Sequence, residues 1–399
     1  MIKGTHMRPY EETHPWLKFQ LDLRRVGYKL WMALGEAQSK CEHIAGVPLQ
    51  PSTSQELHQV YLVKGVLATT AIEGNTLTEE EVRQLVEKKL KVPPSKNYLA
   101  KAVENIIIAC NQIADRLLKG ESADLTVSDI KNFNRLVLEG LPLEEGTEPG
   151  KIRRRSAVVG NYRGAPDEDC EYLLERLCEW LNSGDFRTTE NLTLAFSILK
   201  AIIAHLYLAW IHPFGDGNGR TARLMELQIL VAAGVPKPVA HLLSNHYNQT
   251  RQEYYRQLDQ ASKSSGDVVP FIEYAVLGFV DGLKAQLETI RKQQWDVAWE
   301  NYVHDLFRDK ISKADIRRRH LVLDLSNLDK PVPFPKLSEI SPRMARYYAT
   351  KTQKTISRDV NELVEMDLVE KTPEGVRPLR EKILAFLPSR RIINAGQSL

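Results

Sequence analysis

The chain has 399 residues, of which 43% are apolar and 26% are charged. This composition excludes an intrinsically disordered or collagen-like chain and predicts a folded, soluble protein of two or three domains. The formal net charge is only +3, but residues 310–399 hold 18 Lys and Arg against 11 Asp and Glu. The rest of the chain therefore carries a small negative excess. A basic C-terminal end favours an acidic partner, and a solvated charged surface explains it equally well.

Redox and targeting features favour the cytoplasm. The four cysteines show no CxxC pairing, which disfavours a zinc site or a disulfide framework and favours reduced thiols. They are Cys41, Cys110, Cys170 and Cys178. No uninterrupted run of 18 apolar residues predicts a transmembrane span, and the first residues lack an apolar signal-peptide core. Residues 1–7, MIKGTHM, resemble an expression-vector remnant and carry no weight in the fold prediction.

Helical periodicity dominates the first 140 residues. Apolar residues recur at helical spacing in segments 56–75, 99–118 and 127–141. The first of these segments ends in Gly74–Asn75, which is typical of a helix C-terminal cap.

One segment interrupts this helical pattern. Residues 148–168 are rich in glycine and β-branched residues, so they predict a short hairpin with loops.

Segment 191–211 is apolar almost all round and predicts a central core helix. Further helices are predicted at 170–182, 220–234, 251–261 and 268–294.

The pattern changes again near residue 290, where the charge density rises. Two short helices, a turn and a β-like ending around Pro373–Glu374–Gly375 predict a winged helix-turn-helix. In such a module residues 351–366 would form the helix that enters the DNA major groove. Winged helices also dock proteins, so both DNA and protein partners are retained.

Four side chains of that helix would contact DNA. Lys351, Lys354 and Arg358 would meet phosphates, and Gln353 would face the bases.

A glycine-rich stretch, IHPFGDGNGR, occupies residues 211–220. It lacks the lysine of a Walker A loop, and it follows a predicted helix rather than the strand that a dinucleotide-binding motif requires. A calcium loop is excluded because Arg220 and Leu227 would stand at ligand positions. The stretch is therefore interpreted as a loop that opens a helix.

The opening of this helix suits anion binding. Gly217 and Gly219 let the backbone approach a ligand closely. The N-terminus of a helix carries partial positive charge and free N–H groups. Arg220 and Arg223 are three residues apart, so they share one helix face and can meet the same anion.

Two further side chains supply reactive groups. Asp216 offers a hard oxygen ligand for Mg²⁺, and His212 titrates near neutral pH, as a general base should. Together with the anion site they indicate phosphoryl or nucleotidyl transfer. Each residue alone is better explained by a glycine-rich turn with a capping aspartate and a satisfied core histidine, and only the whole set favours the chemistry.

Residues 212–223, HPFGDGNGRTAR, resemble the signature of the Fic family, HxFx(D/E)GNGRxxR, at every fixed position. Flanking features resemble the family over roughly residues 8–290. The resemblance implies a mainly α fold, with a Fic-type helical core and a short β-hairpin flap. It also implies transfer of AMP from ATP to a Ser, Thr or Tyr hydroxyl of a protein, with release of pyrophosphate.

The resemblance assigns roles to matching positions. His212 would deprotonate the target hydroxyl, Phe214 would anchor the loop, and Asp216 would hold Mg²⁺. The residues that would bind the phosphates of ATP are Gly217, Asn218, Gly219, Arg220 and, at the γ-phosphate, Arg223.

Two other segments resemble parts of the family's site. Residues 149–166 are similar to the flap, in which Val158 and Val159 would align the target by strand-like pairing. Residues 248–258 are similar to a helix of the nucleotide pocket. Tyr254 or Tyr255 would then lie beside the adenine or ribose, although an aromatic residue at helical spacing is more often part of a core.

A second motif, TTAIEGN at residues 69–75, resembles the family's inhibitory helix, (S/T)xxxE(G/N), with Thr69, Glu73 and Gly74 in place. A glutamate aimed at Arg223 would make a charge-assisted pair and occupy the arginine that the γ-phosphate needs. A solvated carboxylate at a helix end is the alternative.

The sequence therefore predicts three domains after the remnant: an N-terminal helical domain with the inhibitory helix (8–100), a Fic core (101–290), and a linker helix with a winged helix-turn-helix (291–399). The predicted function is an autoinhibited protein adenylyltransferase with ATP as substrate and Mg²⁺ as cofactor. A nucleotide-sensing, DNA-binding transcription regulator and an AMP-removing Fic enzyme are the alternatives. The target protein, self-modification and homo-oligomerisation are left open, and no membrane partner is expected.

Overall fold

A computed structural model describes residues 7–384 of the chain, apart from residues 25, 50, 91, 161 and 187–189. Residues 1–6 of the presumed vector remnant lie outside the described residues. The chain divides into two compact units, Met1–Leu287 and Glu288–Leu399.

Helices build almost all of the first unit. In chain order they are α1 (Pro9–Thr13), α2 (Tyr28–Gly46), α3 (Pro51–Ala71), α4 (Glu79–Val86), α5 (Asn97–Leu118), α6 (Val127–Leu138), α7 (Cys170–Leu181), α8 (Thr193–Ile211), α9 (Asn218–Ala232), α10 (Lys237–Ala240), α11 (Leu242–Gln249) and α12 (Arg251–Lys263). Helix α13 (Val269–Leu306) begins in this unit. Strands β1 (Val158–Val159) and β2 (Tyr162–Arg163) form an antiparallel hairpin between α6 and α7. This arrangement confirms the predicted mainly α fold with a short hairpin.

Local sequence explains where several helices begin. Thr78 and Thr126 each accept a hydrogen bond from the third residue of the helix that follows, and the carboxylate of that residue bonds back to the threonine N–H. Such capping boxes satisfy N–H groups that the first turn leaves without partners. The starts of α4 and α6 are therefore encoded locally.

One core joins the helices of the first unit. Helix α8 lies at its centre, with residues such as Ile202, Leu206 and Trp210 almost completely buried. Helix α9 packs along α8, and residues from Leu17 to Leu283 belong to the same apolar cluster. The helices before residue 100 and those after it therefore share this core.

Helix α8 is also the one helix among the described residues that is long and apolar enough to cross a membrane by length and composition alone. In the structure 72% of its apolar window is buried inside the protein. The helix is thus accounted for by its place in the core.

The second unit contains three helices and a hairpin after the end of α13. These elements are α14 (Lys313–Ser326), α15 (Pro342–Tyr348), α16 (Gln353–Glu365), β3 (Val369–Thr372) and β4 (Gly375–Pro378). The strands pair antiparallel, with Val369 opposite Pro378 and Thr372 opposite Gly375. This element order is the one that a winged helix-turn-helix requires, and the assignment to that class stays a prediction. Short 3₁₀ helices complete the described chain at Pro94–Lys96, Asp167–Asp169, Gly184–Phe186, Glu190–Leu192, Phe334–Glu339 and Arg380–Ile383.

Candidate active site

The loop between α8 and α9 turns sharply at two residues with left-handed backbone. His212, directly after α8, has φ 49° and ψ 57°. Gly217, directly before α9, has φ 78°, and a Cβ there would lie 3.0 Å from the side-chain Nδ2 of Asn134. Glycine is needed at this second position both for its backbone angle and for the close packing of α6.

Side-chain amides hold this loop in shape. Asn218 accepts a hydrogen bond from the N–H of Phe214 (3.0 Å) and donates to its carbonyl (2.8 Å). Phe214 is completely buried, as its predicted anchoring role requires. Asn134 donates to the carbonyl of Asp216 (2.8 Å) and accepts from the N–H of Gly150 (2.9 Å). The Asn218 side chain is thus engaged with the loop itself, so the sequence-based role in cradling phosphates is left to its backbone N–H.

The first turn of α9 lies against Glu73. A Cβ at Gly219 would overlap the Glu73 carboxylate, so only glycine lets the two approach so closely. Arg223 is buried and donates from Nη2 to Glu73 Oε1 (2.5 Å) and to the carbonyl of Thr69 (3.0 Å). The Nε and Nη1 atoms of Arg223 are buried and have no hydrogen-bond partner among the described residues. Two nitrogens of the guanidinium therefore have no partner in the described part of the chain and could donate hydrogen bonds to a ligand.

Glu73 lies just beyond the end of α3, in a tight turn, rather than within the helix. Its N–H and that of Asn75 both donate to the carbonyl of Thr70 (3.1 Å each), and Gly74 adopts φ 90°. Burial raises the pKa of the Glu73 carboxyl, but Arg223, with smaller effects from Arg220 and Arg251, outweighs burial, so the net pKa lies below its ordinary value. The carboxylate is charged at neutral pH, and its side chain is 34% exposed.

His212 has an imidazole that resists protonation. Burial, and after it the Arg153 cation, lowers the pKa of His212 to about 4, although Glu73 and Asp216 act in the opposite direction. At neutral pH the imidazole is therefore uncharged and able to accept a proton.

A cavity of about 470 Å³ brings many of the predicted residues together. Its lining includes His212, Asn218, Gly219, Glu73, Tyr254, Tyr255 and Val159 among the predicted residues. Thr69, Gly74, Val158, Asp216, Gly217, Arg220 and Arg223 are not among its lining residues. The volume falls in the range of pockets that hold small-molecule ligands.

The two tyrosines make different contacts at this cavity. Tyr254 is buried, and its hydroxyl lies 2.8 Å from Nε2 of His205. Tyr255 is 41% exposed and donates its hydroxyl to the carbonyl of Ile72 (3.3 Å), beside Glu73. Tyr254 is thus fixed in a polar network, whereas Tyr255 links the cavity to the turn that carries Glu73.

The hairpin presents its first strand to solvent. Val158 and Val159 are 60% and 47% exposed, and they pair with Arg163 and Tyr162. Exposed apolar residues on a two-residue edge strand are free to pair with another chain. The hairpin stands next to the cavity, since Val159, Gly160 and Tyr162 line it.

Asp216 remains the candidate metal ligand. Its side chain is 53% exposed and accepts hydrogen bonds from Nη2 of Arg220 at 3.1 Å. No group of three or more His, Cys, Asp or Glu within the described part of the chain is arranged to hold a metal ion. A single accessible carboxylate fits Mg²⁺, which is commonly bound by one carboxylate together with substrate phosphates.

Two site residues escaped the sequence analysis. His205 lies in the apolar helix α8, lines the cavity and has its Nδ1 3.1 Å from Oε1 of buried Glu226. Arg153 is buried and donates from Nε to the carbonyl of His212 (2.7 Å). A lone histidine in an otherwise apolar helix was a usable signal, whereas nothing in the run Arg153–Arg154–Arg155 marked the first arginine.

The fold and site define a helical protein with a cavity of about 470 Å³ at the N-terminus of a helix. Residues 124–230 match the model of the Fic/DOC family. These residues form a Fic/DOC family domain, which confirms the resemblance seen in the sequence.

Relatives named protein adenylyltransferase share about a third of the aligned residues. Protein adenylyltransferase fic-1 of Caenorhabditis briggsae is 33% identical over 232 residues, covering 57% of this chain and 41% of the relative. Protein adenylyltransferase Fic of Nematostella vectensis is 34% identical over 207 residues, covering 52% of this chain and 44% of the relative. The chain thus spans less than half the length of these curated relatives.

Solved structures show the same fold. Fic-1 (residues 134–508) from Caenorhabditis elegans superposes with a TM-score of 0.56 at 26% identity, covering 66% of this chain and 73% of that one. A Fic family protein from Desulfovibrio desulfuricans G20 reaches the same TM-score at 19% identity, covering 90% of this chain and 98% of that one. The latter likeness concerns the fold alone.

Proposed function

We propose that this chain is a protein adenylyltransferase, which moves AMP from ATP to a Ser, Thr or Tyr hydroxyl of a target protein or of itself. The observation that carries the proposal is the cavity that joins His212, the first turn of α9 and two tyrosines. The names of the relatives support the same activity.

The chemistry follows from the groups around the cavity. The neutral His212 imidazole accepts the proton of the target hydroxyl, whose oxygen forms a bond to the α-phosphorus of ATP while the bond to pyrophosphate breaks. The free N–H groups of the first turn of α9, together with Arg220, stabilise the negative charge on the phosphates. Asp216 would hold Mg²⁺, which supplies further neutralisation of phosphate charge when it is bound.

The target segment would add to the exposed edge of the hairpin. Val158 and Val159 offer backbone groups for strand pairing beside the cavity. Main-chain pairing places a hydroxyl with little dependence on the surrounding sequence.

The resting protein would be inhibited by Glu73. Its carboxylate occupies Nη2 of the Arg223 guanidinium, which the γ-phosphate of ATP would otherwise bind. ATP bound without this clamp presents its α-phosphate poorly for in-line attack. Misplacement by about 1 Å costs on the order of 100-fold in rate.

A second site would lie on the second unit, where α16 carries the exposed cations Lys354 and Arg358, and the exposed Lys351 lies two residues before the helix. Lys354 and Arg358 are four residues apart, so they share one face of the helix. We propose that this face binds nucleic acid.

The test of the activity uses ATP labelled in either the α- or the γ-phosphate. With Mg²⁺ and a lysate, the Glu73→Gly and Glu73→Gln proteins should transfer label from α-labelled ATP to protein, and none from γ-labelled ATP. Glu56→Gln, which alters an exposed carboxylate of α3, serves as the matched control and should behave as wild type. Transfer of the γ-label would indicate a kinase, and absence of transfer by folded, ATP-binding Glu73 variants would refute the proposal.

A further inference from the structure

Arg153 lies where the hairpin meets the loop that carries His212. It is 5% exposed, although its neighbours Arg154 and Arg155 lie on the surface. Its backbone N–H donates to the carbonyl of Pro213 (3.0 Å), and its Nε donates to the carbonyl of His212 (2.7 Å). One residue thus holds two consecutive carbonyls of the loop.

The other end of the same guanidinium holds the hairpin. Nη1 donates to the carbonyl of Arg155 (2.6 Å), which precedes β1, and Nη2 donates to the carbonyl of Ala165, which follows β2. An isolated β-bridge between Ile152 and Phe214 continues the contact between the two segments. Only a planar guanidinium has enough donors in a fixed fork to reach three carbonyls in different directions, and a lysine ammonium lacks that geometry.

We propose that Arg153 is a positioning residue that locks the target-aligning hairpin to the backbone of His212. The base and the hydroxyl that it deprotonates are supplied by two different segments, and Arg153 fixes one relative to the other. The catalytic consequence rests on the proposed function, whereas the mechanical link does not. Gly164 supports the link, because a Cβ there would lie 2.8 Å from the Cβ of His212.

The cation also acts on the imidazole that it positions. Arg153 lowers the pKa of His212, whereas a hydrogen bond with the Ala209 backbone and the charges of Glu73 and Asp216 raise it. Removing the cation should therefore raise the pKa of His212. The acid side of a pH–rate profile should then shift toward neutral pH.

The experiment compares Arg153→Lys and Arg153→Met with Arg154→Lys and Arg154→Met, the adjacent exposed arginine serving as the matched control. All four changes are made in the full chain that carries Glu73→Gly, which is called the parent protein. Hydrogen–deuterium exchange is followed in residues 153–165 and 212–217, with α2 as an internal reference for the folded unit. Isothermal calorimetry gives ATP affinity, and self-labelling from α-labelled ATP gives the rate against pH.

Arg153→Lys should speed exchange in both segments while α2 is unchanged, and it should slow labelling about 10- to 100-fold with ATP affinity within about twofold. Arg153→Met should in addition move the acid limb to higher pH, and both Arg154 variants should match the parent. Exchange that rises in one segment only, or equally throughout the unit, would overturn the proposal, because the residue would then lack the linking role. If the parent labels nothing, the proposed function fails, and the exchange data still decide whether Arg153 links the two segments.

Discussion

His212 is the residue on which transfer should depend most steeply. His212→Ala removes the proton acceptor but leaves α9, Arg220 and Arg223 in place, so ATP should bind as before. Loss of a general base typically costs ~100- to ~10,000-fold in rate. Calorimetric ATP affinity and labelling in the Glu73→Gly background measure the two effects separately. Near-parental labelling by a folded His212→Ala protein would remove the residue from the mechanism.

The pH dependence follows from the lowered pKa of the same imidazole. The base works only when neutral, and its pKa is about 4 because of burial and the Arg153 cation. Transfer should therefore be insensitive to this group between pH 6 and 8 and should fall as the pH drops through about 4. Glu73→Gly removes a carboxylate that favours protonation, so the acid limb in that variant should lie no higher. A limb near pH 6.5, the ordinary histidine value, would show that the imidazole is solvated during the reaction.

The pair of Glu73 and Arg223 can be tested by the order of three activities. Glu73→Gly should label well above wild type, because Arg223 becomes available to the γ-phosphate. The Glu73→Gly/Arg223→Ala double variant should label no better than wild type, because it lacks the arginine that would bind the γ-phosphate. A purely structural carboxylate would give the reverse result for the single variant, with lower activity and a lower melting temperature.

Helix α3, as an element, delivers Glu73 to the site, and its seating depends on Gly65. A Cβ at Gly65 would overlap the ring of His241, so Gly65→Ala should strain the contact at a cost of about 1–3 kcal/mol. Gly35 of α2 is the matched control, since a Cβ there meets nothing within 4 Å. Gly35→Ala should stabilise the helix by about 0.5–1 kcal/mol. Thermal unfolding should therefore move in opposite directions for the two substitutions, and a Gly65→Ala protein as stable as wild type would contradict the packing.

The helices were the most predictable elements. Segments 99–118 and 170–182 match α5 and α7 within two residues at either end, because each segment carries a strong apolar stripe. The end of α3 was less predictable: the apolar pattern runs to residue 75, whereas the helix ends at Ala71 and a turn carries Glu73. That turn is fixed by long-range partners, among them the carbonyl of Leu99, to which Asn75 donates.

The site was predictable wherever one segment supplies the whole group of residues. The motif at 212–223 contains the base, the glycines and both arginines, so the spacing alone indicated the chemistry. Arg153 and His205 act through contacts with distant segments, and their identities become functional only once the chain is folded. The engagement of the Asn218 side chain with Phe214 was likewise invisible in the sequence.

The uneven charge of the whole molecule leads to a prediction about the second unit. In α16, Lys354, Arg358 and Asn361 follow one another at spacings of four and three residues, so they share an exposed face. The helix begins at Gln353, so Lys351, which the sequence placed in it, lies just before its start. Lys371 of the hairpin extends this basic face, since its Nζ donates to Asn361 Oδ1 (2.6 Å). None of the ion pairs found among the described residues involves Lys354 or Arg358.

A helix with this face should bind duplex DNA through phosphates, and the affinity of the full chain should fall as salt rises, because bound counterions are released. Lys354→Glu/Arg358→Glu should weaken binding for every sequence and flatten the salt dependence by about one unit of log–log slope for each lost contact. Lys330→Glu/Lys336→Glu makes the same charge change at two exposed lysines of the same unit that lie outside α16. Fluorescence anisotropy between 50 and 200 mM salt measures all three proteins. If both double variants lose affinity equally, the attraction comes from net charge rather than from α16. If wild type binds no duplex at low salt, DNA binding is refuted, and an acidic protein becomes the expected partner of the basic face.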